Sequence, residues 1–427
     1  MSGAGERAAR VAERAARESY GRLVALLAAP TGDLELAEDT LAQAFERALT
    51  TWPRDGVPDN PEGWLLTVAR NRQRDLWKSA AHRRNRSLEE AVDAGLGAVE
   101  LARALDELDQ DRIPDRRLAL LFVCAHPAIA ADVRTPLMLQ VVLGFDAAGI
   151  ARAFAVPAGA MSQRLVRAKR RIRDARVPFV VPGRQAMPER LPWVLEAVYG
   201  CYALSFQERG EGASLAGEAR HLAVTTARLL GDEPEAWALA ALLTLTSARA
   251  AAPGGPYLPL QDQDPGTWDR GLIAEGEAYL RRAERPGRAP GRFQLEAAIQ
   301  AVHCARARGG GTDWDALCTL YTALVAIAPS LGGRVAHAAV IGRARSPRAG
   351  LALLEDLPVE RERFQPYHAA RGDLLARLGR GEDAADAYSR AAALSPDPAV
   401  RTFLGRRAEE ARGPRAGDPL PEPRPEG

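Results

Sequence analysis

Amide, hydroxyl and cationic side chains follow one another between residues 162 and 173, and their chemistry suits the binding of DNA. The first groups of this run can hydrogen bond to base edges, and the later groups suit contacts with phosphates. In order, they are Ser162, Gln163, Arg164, Arg167, Lys169 and Arg170. Between residues 134 and 176 the chain has nine Lys and Arg residues against two acids, a local charge of +7. We therefore expect this segment to bind a polyanion.

The residues around this run predict a helix-turn-helix from Phe145 to Arg173. Asp146 suits the cap of a first helix. Ile150 and Phe154, four residues apart, predict the apolar face of that helix. A turn at Ala155-Val156 leads to Pro157, which is well tolerated in the first turn of a second helix. An apolar stripe then predicts the buried side of the second helix, at Met161, Leu165, Ala168 and Ile172.

A second basic segment is the predicted helix over residues 64–86. Between Arg70 and Arg86 it has seven Lys and Arg residues against one acid, Asp75. Cationic side chains interleaved with Trp64 and Trp77 suit a surface that follows phosphates and stacks the bases of separated strands. Both tryptophans can instead anchor the core, because Leu65, Val68 and Ala69 continue an apolar face beside Trp64.

An acidic amphipathic helix, predicted over residues 34–49, precedes the basic one. Its inward side chains are predicted to be Leu34, Leu41, Phe45 and Leu49. Its outward side chains are predicted to be Glu35, Glu38, Asp39, Gln43 and Glu46. Residues 50–64 contain three prolines and two glycines, and we expect them to form a loop.

Composition and spacing argue against several classes of function. Of the 427 residues, 47% are hydrophobic and 26% are charged, with a net charge of only +2. The four cysteines are far apart and lack metal-ligand spacing, so we expect reduced thiols and no structural zinc. No apolar run reaches membrane-spanning length and no signal sequence stands at the N-terminus, which predicts a cytoplasmic protein. We find no catalytic constellation and predict neither an enzyme nor a cofactor or metal site.

Helical spacing dominates the whole chain, so the sequence predicts an all-α fold. The predicted segments are a helical domain at 12–86, a linker at 87–103, a domain at 104–176 that ends in the helix-turn-helix, and a connector at 177–189. A helical region at 190–411 and a disordered tail at 412–427 follow. Residues 367–397 fit one tetratricopeptide repeat, and helical pairs at 212–250, 269–306 and 312–345 predict an α-solenoid with degenerate repeats.

The order of these motifs resembles bacterial sigma factors of the extracytoplasmic-function (ECF) class. AEDTLAQAFERA (37–48) resembles region 2.2, NPEGWLLTVARNRQRD (60–75) resembles regions 2.3–2.4, and FDAAGIARAFAVPAGAMSQRLVRAKRRIR resembles region 4.2. The chain departs from the usual pattern at Ala44 and at Ala148-Gly149, where acidic residues are common.

This resemblance implies two partners, core RNA polymerase and promoter DNA. Contacts with the polymerase clamp are expected from Glu38, Asp39, Gln43 and Phe45, and region 4 is expected to meet the flap. Contacts with the −10 element are expected from Trp64, Arg70, Asn71, Arg74, Asp75 and Trp77. The six residues from Ser162 to Arg170 named above are expected to contact the −35 element.

The chain is also similar to a sigma subfamily with a C-terminal extension of tetratricopeptide type. Matching phrases include HPAIAADVRTPLMLQVVLGF, VPFVVP, RLPWVLEAVY, LEAAIQAVH, TDWDALCTLY and LQDQDPGTWD. The last phrase contains the signature residues Asp262, Asp264, Trp268 and Asp269. Pro265-Gly266-Thr267 and the phrase at 200–210 diverge from the family. Because the sequence shows no other regulatory module, we hypothesise that the extension modulates activity in cis, for which a contact between the solenoid and the sigma domains is one route.

An alternative function is that of a one-component regulator, in which a solenoid senses a peptide or protein and the helix-turn-helix binds an operator without polymerase. Such a regulator has no need for an acidic helix joined to a basic, tryptophan-bearing helix over 34–86. A helical scaffold with incidental basic helices is a third interpretation.

Overall fold

We describe a computed structural model of the chain over residues 3–83, 117–154, 156–177, 186–205, 213–249 and 256–413. Several predicted features lie wholly or partly outside these residues: the linker 87–103, part of the connector 177–189, the end of the phrase at 200–210, and nearly all of the tail 412–427. The side chain of Trp77 is also outside the description. The described residues are helices, turns and loops without a strand, which confirms the all-α prediction.

The chain divides into two compact units, residues 1–222 and 223–427. The first unit begins with three helices that pack pairwise on one another: α1 (Gly3–Ala28), α2 (Leu34–Asp55) and α3 (Pro61–Arg83). It continues with α4 (Arg117–Cys124), α5 (Ala131–Val141), α6 (Ala147–Ala153), α7 (Ala158–Asp174) and α8 (Met187–Ser205). The division between the units falls within α9 (Ala213–Leu230).

Helix α2 begins where predicted but ends later. The Asp33 carboxylate accepts a hydrogen bond from the backbone N–H of Leu36 at 3.1 Å and caps the helix. The buried register of Leu41, Ala44 and Ala48 continues to Trp52, so burial of this indole favours a further helical turn through Pro53. The prediction of a loop over 50–64 is therefore wrong, since only residues 56–60 lie between the helices.

The same register explains which apolar side chains of α2 are not buried. Leu49 is 51% exposed and Phe45 is half-buried, although both were predicted to face the core. The core side of α2 is instead formed by Leu34, Ala37, Thr40, Leu41, Ala44, Ala48 and Trp52. Small alanines at this side allow α1 and α3 to approach closely.

Helix α8 belongs to the core of the first unit, because it packs on α4 and α5. Its buried side chains include Val194, Leu195, Val198 and Cys201. The buried guanidinium of Arg134 in α5 lies 5.2 Å from the ring centroid of Trp193 in α8. The first unit thus continues past the predicted connector at 177–189.

The second unit is an array of helices in which each packs mainly on the helices one or two places away along the chain. Its members are α10 (Pro234–Ser247), α11 (Arg270–Ala283), α12 (Arg292–Cys304), α13 (Trp314–Ile327), α14 (Leu331–Ala344), α15 (Pro347–Glu355), α16 (Gln365–Arg377), α17 (Gly381–Leu394) and α18 (Pro398–Arg412). Such neighbour-to-neighbour packing is typical of a solenoid.

The predicted repeat at 367–397 forms α16 and α17. Gly379, with a φ of 75°, ends the first of these helices in the left-handed conformation that glycine tolerates best. The residues predicted to pack the second helix are all buried: Ala384, Ala387, Tyr388 and Ala391. None of the described helices is long and apolar enough to cross a membrane.

Candidate nucleic-acid interface

Helices α6 and α7 form the two-helix segment predicted from the sequence. The Asp146 carboxylate accepts from the backbone N–H of Gly149 at 2.5 Å, which confirms the predicted cap. Ile150 is buried as predicted, whereas Phe154 is 41% exposed. The prediction for Phe154 is wrong, because α6 ends at Ala153 and Phe154 lies beyond the helix whose apolar face it was expected to continue.

Helix α7 presents two different sides. The predicted stripe of Met161, Leu165, Ala168 and Ile172 is buried. Ser162, Gln163 and Arg167 are exposed, so their side chains are accessible near the start of the helix. This position matches that of the base-contacting residues in helices that enter the major groove of DNA.

An open cleft of about 360 Å³ separates α7 from the start of α5. Arg164, Arg167 and Arg171 line it. Arg164 is half-buried and pairs with Asp132 at 3.3 Å, while the Nε of Arg171 donates to the carbonyl of Ala128 at 3.4 Å. Three guanidinium groups around one cleft create a positive potential that favours phosphate.

Lys169 does not lie on the exposed side of α7. Its Nζ is 2.5 Å from an Oε of Glu38 in α2, and the two side chains are only 9% and 15% exposed. The prediction that Lys169 faces solvent with its basic neighbours therefore differs from the structure, because α7 packs across α2 at this position. Burial is the main cause that raises the pKa of Glu38, and the charge of Lys169 opposes it.

Arg170 and Arg173 also face α2. Arg170 lies 3.4 Å from Glu35, and Arg173 lies 3.6 Å from both Asp33 and Glu35. Unlike Lys169, both arginines keep substantial exposure. These pairs could not be predicted from the sequence, because more than 130 residues separate the partners.

Helix α3 has one buried side and one accessible basic side. Leu65, Leu66 and Ala69 are buried, and Gln73 donates to the carbonyl of Leu27 at 3.4 Å. Asn60 caps the helix by accepting from the N–H of Gly63 at 2.8 Å. On the other side Asn71 and Asp75 are exposed, whereas Arg70 and Arg74 are half-buried, and Arg74 donates to Asn71 at 3.4 Å.

The Trp64 ring is partly exposed, but it also packs against the core. Its ring meets the buried ring of Trp52 edge to face, with centroids 5.5 Å apart. This contact joins α2 to α3 and supports the interpretation of Trp64 as an anchor of the core. Ion pairing of Glu62 with Arg22, which the sequence analysis missed, ties α3 to α1.

Of the residues expected to meet polymerase, Asp39 and Gln43 are exposed and Phe45 is half-buried. Glu38 was predicted to face outward but is largely buried, because α7 packs over it. The Nε of Arg72 donates to Gln43 at 2.7 Å, so the acidic helix and the basic helix form one continuous polar surface. The Glu38 carboxylate lies beside this surface but already accepts a hydrogen bond from the Lys169 ammonium.

The signature residues of the second unit have clear structural roles. Trp268 is buried, with the guanidinium groups of Arg249 and Arg306 at 5.8 and 5.3 Å from its ring centroid. Asp264 caps the short 3₁₀ turn Pro265–Thr267, and Asp269 caps α11. Arg306 donates to the carbonyls of Leu260, Gln261 and Gln263, and Asp262 is exposed on the loop thus held.

His303 and the cysteines show no arrangement suited to catalysis or metal binding. Burial, and then the charges of Arg249 and Arg306, lower the pKa of His303 to about 4. The four cysteines are buried, and burial raises the pKa of the Cys201 thiol to about 12. Within the described ranges no three His, Cys, Asp or Glu side chains gather in a way that could hold a metal ion.

Comparison with known proteins identifies two segments. Residues 16–84 match sigma-70 region 2, and residues 190–284 match a family of unknown function, DUF6596. The first segment covers the second half of α1 and all of α2 and α3. The second begins within α8 and ends after α11.

Two kinds of relative are similar to the chain. An uncharacterized protein of Rhizobium meliloti (strain 1021) is 37% identical over 381 residues, which cover 87% of this chain and 89% of that protein. A protein named as the probable ECF RNA polymerase sigma factor SigI, from two strains of Mycobacterium tuberculosis, is 31% identical over 168 residues. That similarity covers 38% of this chain and 54% of SigI. No solved structure matches the chain.

Proposed function

Because the chain belongs to the same family as the uncharacterized Rhizobium meliloti protein and contains a sigma-70 region 2, we propose that it is an alternative sigma factor of the ECF class. It binds core RNA polymerase in the cytoplasm and directs transcription from specific promoters. The observation that carries the proposal is the region 2 match over α2 and α3, where exposed acidic and basic residues form one polar surface. The role is one of binding and not of catalysis.

In this proposal α2 binds the polymerase clamp through Asp39 and Gln43, with Phe45 and, once released from Lys169, Glu38. Helix α3 acts on the −10 element through Arg70, Asn71, Arg74 and Asp75. Extrusion of a base costs a few kcal/mol, which stacking and pocket contacts offset. The exposure of Asn71 and Asp75 supports this assignment.

Helices α6 and α7 act as a helix-turn-helix that reads the −35 element. Ser162, Gln163 and Arg164 read bases, and Arg167 and Arg170 hold phosphates. Support comes from the exposure of Gln163 and Arg167 and from the arginine-lined cleft beside α5. A good bidentate contact to one base contributes about 1–3 kcal/mol of discrimination.

The second unit, a solenoid of tetratricopeptide type in this proposal, modulates the sigma domains in cis. The loop that carries Asp262 is held by Arg306 and presents this carboxylate to solvent, as a contact residue would require. Asp262→Arg should therefore change transcript yield with the folded chain intact, and Glu409→Arg, at an exposed position of α18, is the matched control. Equal yields from both variants and the wild type would contradict the role in cis.

A one-component regulator, which binds an operator without polymerase, is less well supported. The region 2 match over 16–84 gives a role to the very segment that such a regulator does not need. The test that separates the two functions is direct binding of the full chain to purified core polymerase.

We expect the full chain to bind core polymerase and Asp39→Arg to weaken this binding at least about tenfold, because reversing a charge at an interface opposes association. Asp39 is exposed and forms no ion pair with another described residue, but its charge acts on Tyr20 and Glu38, so thermal unfolding of the variant checks that the fold is retained. Glu409→Arg is again the control and should bind like the wild type. Failure of the wild-type chain to bind core polymerase, with tight binding of duplex DNA alone, would support the regulator instead.

A further inference from the structure

The basic side of α7 and the acidic start of α2 are in contact over several residues. Three cations of α7, Lys169, Arg170 and Arg173, meet three acids, Glu38, Glu35 and Asp33. The Lys169–Glu38 pair lies at the centre and is largely buried, and the arginine pairs at its edge are partly exposed. The Tyr20 hydroxyl of α1 also donates to Glu38, at 3.5 Å.

Close backbone packing accompanies these ion pairs. A side chain at Gly21 in α1 would collide with the carbonyl of Val142, which directly follows α5. Helices α1 and α4 are also in contact. The two halves of the first unit therefore meet through both backbone packing and complementary charge, and not through one flexible ion pair.

The choice of lysine at position 169 is notable in this chain. Of the 57 Lys and Arg residues only two are lysine, at positions 78 and 169. A compact ammonium fits the narrow buried space beside Glu38 and needs fewer partners than a guanidinium with its five N–H donors. A basic residue that only contacted phosphate would not need an end group as compact as that of lysine.

We propose that this contact is an autoinhibitory interface, in which α7 and α2 mask each other in the free protein. The proposal rests on the proposed function, because it assigns the masked groups to DNA and polymerase binding. While α7 lies on α2, Lys169 is shielded from phosphate and Glu38 from the clamp. Core polymerase, a competitor for the acidic surface of α2, then releases α7 for DNA.

The first test is zero-length carbodiimide cross-linking of the full chain, which joins a carboxylate to an amine only when they are in contact. We expect peptide mass spectrometry to show Lys169 linked to Glu38. Core polymerase at saturation should reduce this link at least about tenfold. The scarcity of lysine makes the assignment unambiguous, and Lys78 provides an internal control for reagent activity.

Acetylation of the same chain reports whether Lys169 is shielded. Lys169 should react slowly in the free protein and rapidly in the Glu35→Gln, Glu38→Gln double variant. The absence of a Lys169 cross-link together with rapid acetylation of wild-type Lys169 would overturn the proposal. A cross-link that persists undiminished with bound polymerase would overturn its release step.

The second test measures binding of the free full chain to duplex DNA. Glu35→Arg removes the acid that pairs with Arg170 and one of the acids that pair with Arg173, and the new cation repels both arginines towards phosphates. We expect this variant to bind DNA about tenfold more tightly at low salt than the wild type. Its affinity should also fall more steeply with salt, because about two more counter-ions are released on binding. The control is Glu46→Arg, the same charge change at an exposed position of the same helix that has no ion pair with a described residue.

Equal affinities and salt slopes for the two variants would show that only the added charge matters and would contradict masking. These tests are independent of transcription, so they separate the two proposals. A cross-linked α2–α7 contact in a chain that does not bind polymerase would defeat the proposed function alone. Promoter-specific transcription by a chain without this contact would defeat only the autoinhibition.

Discussion

Gly21 is a residue whose smallness the fold requires, because a backbone carbonyl fills the space that a side chain would need. We expect Gly21→Ala to lower the free energy of unfolding of the first unit by about 1–3 kcal/mol, as overpacking does. Gly5 lies in the same helix with no atom near the position of an added Cβ. Gly5→Ala should instead be neutral or stabilise by up to about 1 kcal/mol. Thermal unfolding of both variants checks this, and equal effects would contradict the close approach of α1 to residue 142.

His303 gives the second unit a predictable dependence on pH. Its pKa falls from 6.5 to about 4 on folding, so the unfolded chain binds more protons between these values. The free energy of unfolding should therefore decrease as the pH falls through this window, by up to about 3 kcal/mol. Denaturant unfolding of wild type and His303→Gln at pH 7 and pH 4.5 measures the difference. A loss of stability as large in the variant as in the wild type would assign the effect to other groups.

At the scale of the element, one helix of the second unit is capped from outside itself. The Glu235 carboxylate of α10 accepts from the backbone N–H groups of Phe293 and Gln294 at 3.0 and 3.1 Å, at the start of α12. Glu235→Ala leaves these donors without that acceptor and should cost about 1–3 kcal/mol of unfolding free energy. Glu233→Ala removes a nearby carboxylate that makes no cap and should cost less than about 0.5 kcal/mol. Chemical denaturation of the two variants distinguishes them, and equal costs would refute the cap.

The elements show what local sequence can and cannot reveal. The cap at Asp146 and the buried stripe of α7 were predicted, because both depend on residues within one helix. The extension of α2 to Trp52 was missed, because prolines suggested a loop and tertiary burial of the indole outweighed them. The burial of Lys169 was also missed, since only the packing of α7 on α2 brings Glu38 to it. The basic charge of the α3 surface was predicted, whereas the contact between Trp64 and Trp52 was not.

At the scale of the whole molecule, the matched family of unknown function begins in α8, inside the first compact unit. Helix α8 covers α4 and α5 with several buried apolar side chains, each of which contributes about 1.5–3 kcal/mol. A fragment ending at residue 186 should therefore lose cooperative unfolding, whereas one ending at residue 222 should retain it. Circular dichroism during thermal unfolding of the two fragments tests this. Cooperative unfolding of the shorter fragment would show that α8 is dispensable for the first unit.

The two surfaces to which we assign different partners lie in one compact unit and face each other. Asp39 and Gln43 are exposed beside the α2–α7 contact, so in our proposal core polymerase begins to bind there before α7 is released. Arginines of α7 that now pair with acids would then meet DNA phosphates. This order of events would make promoter binding depend on polymerase.

Whether the chain is a sigma factor is tested most directly by transcription with core polymerase and the full chain from a pool of randomised promoters, with the transcripts sequenced. We expect transcripts whose start sites share two upstream motifs, near −10 and −35, and which are absent with core polymerase alone. Gln163→Ala, at an exposed position of α7, should relax the −35 motif and leave the −10 motif unchanged. No transcripts beyond those of core polymerase alone, although the chain is folded, would contradict the assignment as a sigma factor.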